Sequence, residues 1–246
     1  MDGITKSRII KFIVGKDKVE HNVHEAVISG LSEPLRALVN NGMKESVEGL
    51  VVWTSVEDET FTHLMEYAYR HDFTFVDHDA KTTYASETTE SLNQRVKGYR
   101  LPRKSRSKGI DFALDCFGDF MTDVEGDPHL VRSHSQQCFI SCARLYVLAD
   151  QYAIYELKDL CVDKLRQIPL HHPYTDELAL SICKLLVFAW PRTIPNDTLR
   201  ALLIDYIITD LYKALGFSCV TDVLDEIPEI STALLRRAPD DYWLAL

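Results

Sequence analysis

The sequence contains no glycine-rich phosphate loop, no Gly-x-Ser-x-Gly turn, no His-Glu-x-x-His pair and no Cys-x-x-Cys knuckle. Each of those patterns holds a nucleophile, a base, a row of backbone amides or a set of metal ligands at the spacing its chemistry needs. Without them nothing marks the chain as an enzyme, and no catalytic, cofactor-binding or metal-binding residue is expected. An excess of basic charge is missing too: 27 Lys and Arg face 37 Asp and Glu, a net charge of −10. Such a balance disfavours general affinity for nucleic acid or anionic membrane. No apolar segment follows Met1, and the longest apolar stretch, 178–190, is interrupted by Lys184 and too short to span a bilayer. The expectation is a cytoplasmic or nuclear protein that does not enter membranes.

What is present is apolar periodicity. Cys116, Cys138, Cys142, Cys161, Cys183 and Cys219 lie mainly in helical-looking segments, where a free thiol packs as a small apolar group, which fits a reducing compartment. The run RIIKFIV and the run KVEHNVH, separated by Gly15-Lys16-Asp17, predict a β-hairpin. His24 to about Gly30 reads as a short helix, and Ser32 caps a second one in which Pro34 falls in the first turn. After Gly42 and Gly49, LVVWTSV predicts a third strand, and Ser55 with Asp58 makes a capping box. Phe61, Leu64, Met65 and Ala68 then give a helix that ends near Arg70.

Residues 77–110 change character, with many Thr, Ser, Lys and Arg, and predict a flexible insert. Within it Arg95, Lys97, Arg100, Arg103, Lys104, Arg106 and Lys108 form a basic run with no acidic residue, a candidate nuclear-import segment; Tyr99 alone offers a ring for stacking, so nucleic-acid contact is not the expectation. Residues 136–168 predict two helices joined near Asp150 to Ile154, with Leu157, Leu160, Cys161, Leu165 and Ile168 on one face. Pro169 and His171-His172-Pro173 close that block. A helical extension over 174–246 follows. Its clearest member starts at a cap, Asn196 or Asp197, carries Leu199, Leu202, Leu203, Tyr206, Ile207, Leu211 and Leu215 on one stripe, and stops at Gly216.

The segments FIVGKDKVEHNVHEAVISGLSEPL (12–35), GMKES (42–46), LVVWTSVEDETFTHLMEYAY (50–69) and LYVLADQYAIYELKDLCVDKL (145–165) resemble, in this order, a BTB/POZ domain protein of the fungal type with a helical C-terminal extension. The resemblance implies an α+β fold, a small three-stranded sheet flanked by helices over 7–168, interrupted by the insert and followed by an all-α extension. It implies a platform for protein–protein interaction. Met43, Lys44 and Glu45 match the apolar, any, acidic pattern through which BTB adaptors of cullin-RING ubiquitin ligases engage the cullin. The leading expectation is therefore an adaptor that recruits a partner protein to such a ligase. The alternative is a non-ligase scaffold or a transcription-linked oligomerisation module.

His24 matches the structural His of the family's first helix, and the residues agree: no second His or Cys stands at ligand spacing beside it. His134, Cys138 and Cys142 recur every four residues but lack a tight knuckle, so helix packing is expected of them rather than a metal. Two departures from the family bear on assembly and charge. About six residues precede the first strand, where many members carry a swapped strand and helix, so a monomer or weak homodimer is expected. Arg8 stands where the family has Asp and Glu25 where it has Lys or Arg, which predicts an ion pair inverted in sign.

Overall fold

The computed structural model describes residues 3–42, 44–74, 136–167, 176–209 and 211–238. β1 (Ile9–Val14) and β2 (Val19–His24) form the hairpin, antiparallel with Ile9 opposite His24 and Val14 opposite Val19. Gly15 (φ 74°) and Lys18 (φ 54°) take left-handed backbone in its turn, a conformation that costs Gly nothing. α1 (Glu25–Leu31) and α2 (Glu33–Asn40) follow, then α3 (Lys44–Glu48) and β3 (Leu50–Trp53). β3 lies parallel to β1, so the sheet order is β2-β1-β3. α4 (Asp58–Arg70) ends at His71, in the left-handed region at φ 58°.

Among the described residues of the second half stand α5 (Gln136–Gln151), α6 (Tyr155–Gln167), α7 (Asp176–Ala189), a 3₁₀ turn (Trp190–Arg192), α8 (Thr198–Thr209), α9 (Leu211–Ala214), α10 (Ser218–Glu226) and α11 (Pro228–Arg237). The fold is thus α+β, a small three-stranded sheet with many helices. No described helix is long and apolar enough to cross a membrane.

The chain divides into two compact units, residues 1–76 with 141–161, and residues 77–140 with 162–246. In the first, alternation along β1 sends Ile10, Phe12 and Val14 into a core that excludes water from all three. Phe12 meets Phe61 of α4 and Trp53 of β3 at ring distances of 5.1 and 5.3 Å, and Tyr152 stacks on Trp53 at 4.7 Å. Leu145, Tyr146 and Leu157 complete this core. Burial raises the pKa of the Tyr152 hydroxyl above its ordinary value.

In the second unit α8 is buried from Leu202 to Ile208 without a break, so it is wrapped rather than striped. The polar member of that run, Asp205, is paired through both carboxylate oxygens with Arg237 of α11 at 2.8 and 3.0 Å. The Tyr206 hydroxyl donates to the carbonyl of Leu165.

Two expectations need correction, and one element is new. The capping box at Ser55 and Asp58 does not form: α4 starts after Glu57, which makes no side-chain cap. The carboxylates there have stronger partners, Glu57 in Arg144 at 2.5 Å and Asp58 in His21 at 2.6 Å. Leu215, expected on the stripe of the helix that starts at the Asn196 or Asp197 cap, is 45% exposed and lies outside the helical residues described there, which end at Ala214. The turn of helix between Gly42 and Gly49 is an element the periodicity did not foretell.

Candidate functional site

Arg8 precedes β1, where the chain enters the sheet, and its guanidinium fork reaches three elements. Nε pairs with Glu25 at 2.8 Å, Nη2 donates to the Val39 carbonyl at 3.0 Å, and Nη1 donates to the Ser46 carbonyl at 2.7 Å. The expected ion pair between Arg8 and Glu25 is therefore formed. Its surroundings explain the choice of charges. Glu25 opens α1, where a carboxylate complements the helix dipole, and Val39 belongs to the last turn of α2, whose carbonyls lack helical partners and accept from a cation. The Glu25 amide donates to the Arg8 carbonyl at 2.8 Å, and the Ser7 hydroxyl accepts from the Ala26 amide at 3.3 Å, so backbone and side chain fix the same corner.

The same guanidinium brackets the short segment that carries Met43, Lys44 and Glu45. It holds the chain at Val39 before the segment and at Ser46 after it. Gly42 turns between them at φ 76°, and its amide donates to the Ser46 hydroxyl at 3.2 Å. A Cβ on Gly42 would meet nothing within 4 Å, so glycine is needed there for its backbone angle and not for space. Lys44 and Glu45 form the first residues of α3, and Val47 on that helix is 72% exposed. Met43 and the side chains of Lys44 and Glu45 lie outside the described residues. So do the basic residues Arg95, Lys97, Arg100, Arg103, Lys104, Arg106 and Lys108, the rest of the insert, and His134.

His24 has an architectural place. Its Nδ1 lies 2.8 Å from the Tyr69 hydroxyl of α4, and the same hydroxyl accepts from the His24 amide at 3.3 Å. Cys138 and Cys142 are buried, and the Cys142 thiol donates to the Cys161 carbonyl at 3.4 Å. Among the described residues no three His, Cys, Asp or Glu side chains converge as a metal would require.

Two contacts escaped the sequence. His21 and Asp58 pair at 2.6 Å with the His21 ring 4.8 Å from Phe61, which joins β2 to the start of α4. Their 37-residue separation leaves no local signal. Tyr67 donates to Glu156 at 3.5 Å, and burial, with that carboxylate, raises the pKa of its hydroxyl. Further along α4, burial pushes His63 below its ordinary value against the opposing charges of Glu59 and Glu66. These polar groups sit among packed rings and helix ends, so their chemistry serves the fold. No known family model matches the chain, and no curated protein matches it.

Proposed function

We propose that this chain is a BTB/POZ-type protein-interaction module that recruits a partner protein to a cullin-RING ubiquitin ligase, with Met43, Lys44 and Glu45 in the surface that engages the cullin. The observation that carries the reading is the brace of Arg8. One guanidinium holds the carbonyls of Val39 and Ser46, so the backbone on both sides of the segment is fixed before any partner arrives. A prearranged segment loses less conformational freedom on docking than a free loop does. Beside it the exposed Val47 supplies apolar area of the kind that anchors a small interface. The α+β architecture and its element order support the BTB reading, and the work assigned to the chain is binding rather than catalysis.

The test measures thermal midpoint and affinity for a cullin N-terminal domain in wild type, Met43→Asp and Glu45→Lys. Met43→Asp places a charge against an apolar pocket of the partner, a loss of about 3 kcal/mol or roughly two orders of magnitude in Kd. The midpoint stays near that of wild type. Wild type that does not bind at tens of micromolar overturns the adaptor reading, and a Met43→Asp protein that fails only because it melts early assigns Met43 to the core instead.

A further inference from the structure

Between α7 and α10, in the second unit, the structure has a cavity of about 460 Å³ whose wall includes Leu180, Val187, Phe188 and Val223 together with two thiols, Cys183 and Cys219. Both cysteines are free. Cys183 of α7 and Cys219 of α10 thus face the same space from two neighbouring helices. Cys183 is buried at 3% exposure, whereas Cys219, in the first turn of α10, is half-buried.

We propose that Cys183 and Cys219 form a reversible dithiol site that takes hydroperoxides as its two-electron oxidant and closes to a disulfide joining α7 to α10. The roles follow from access. Cys219 is the thiol that a small oxidant reaches. Its sulfur attacks the hydroperoxide, an S–O bond forms as the O–O bond breaks, and the alcohol leaves with the thiol proton, giving the sulfenic acid. The sulfur of Cys183 then attacks the sulfur of Cys219. An S–S bond forms as the S–O bond breaks, and hydroxide leaves as water with the proton of Cys183. Two thiols are oxidised and one hydroperoxide is reduced to alcohol and water.

Burial, and next the neighbouring Cys219, raise the Cys183 thiol to about 12, so it is inert as a first nucleophile and acts only on an oxidised sulfur that shares its cavity. In a reducing compartment the pair rests as thiols and closes only under oxidant. The site is independent of the cullin reading, since both cysteines lie in the α-helical part.

The full-length protein is exposed to hydrogen peroxide at a small molar excess, free thiols are alkylated, and tryptic peptides are mapped by mass spectrometry. Lys184 and Lys213 lie between the two cysteines, so a bond between them links two separate peptides. The expected result is a linked Cys183–Cys219 peptide that dithiothreitol releases and that is absent in Cys219→Ser, with that variant folded by circular dichroism. Three results overturn the proposal: Cys219 carried to sulfinic acid with Cys183 still alkylated, Cys219 linked to another cysteine or a second chain, or both thiols alkylated after peroxide.

Discussion

Arg8 shows how much one side chain can organise when its donors are planar and fixed. A lysine offers a point charge and could hold Glu25, but it would not also reach the two carbonyls in their separate directions. The Arg8–Glu25 pair is partly exposed, with side chains 42% and 22% accessible, so the ion pair itself contributes about 0.5 kcal/mol. The carbonyl bonds to Val39 and Ser46 contribute independently of Glu25. Charge reversal separates the two contributions. Glu25→Arg should cost up to about 1 kcal/mol, and Arg8→Glu should cost more because the carbonyls lose their donor as well. Combining both reversals should recover only the ion-pair part, a coupling of about 0.5 kcal/mol in urea unfolding. A coupling of zero would mean that the two charges do not meet in solution. A full return to wild-type stability would mean that the carbonyl bonds contribute nothing.

Helix ends separate what local sequence can reveal from what it cannot. Ser32 was readable as a cap because a hydroxyl before a Glu-Pro start can serve little else, and its oxygen accepts from the Leu35 amide at 3.4 Å. Asp197 was one of two candidates at the head of α8, and its carboxylate accepts from the Leu199 amide at 2.9 Å while almost fully buried. The two caps should differ in strength. Ser32→Ala should lose about 0.5 kcal/mol, and Asp197→Ala about 2 kcal/mol, since a charged acceptor at a buried helix start gains from the dipole and is costly to replace. Urea midpoints decide it, and equal losses would remove burial as the cause of the difference. At α4 the local pattern misleads, because Glu57 and Asp58 are held by Arg144 and His21, residues far off in sequence. At α3 five residues are too few for a helical period to appear. Strands β1 to β3 were legible for the opposite reason: alternation such as Ile10, Phe12, Val14 against Lys11 and Ile13 needs only a few residues to show which face is buried. Of the candidate site, the motif at Met43 to Glu45 was visible in sequence, but its support was not, because Arg8 meets Ser46 across 38 residues.

At the scale of the whole molecule, the division into two units does not fall at helix ends. It passes through α5 between Ile140 and Ser141, and through α6 between Cys161 and Val162. Each unit thus owns part of two continuous helices, and a helix that loses one end loses the hydrogen-bond ladder that supports the other. Unfolding should therefore be a single cooperative transition. Two tryptophans report on it separately, Trp53 in the sheet of the first unit and Trp190, under the Arg200 guanidinium at 4.4 Å, in the second. With Trp243 and one of this pair changed to Phe, the remaining fluorescence should follow the same urea curve as circular dichroism in each variant. Leu157 and Leu165, both fully buried on α6, extend the argument, since one lies on each side of the division. Truncation of either to Ala removes buried methyl groups and leaves a cavity, a cost of about 3 kcal/mol. In a cooperative molecule Leu165→Ala moves the Trp53 signal as far as the Trp190 signal, although Leu165 belongs to the other unit. If it moves the Trp190 curve alone, the two units unfold independently and the shared helices do not couple them.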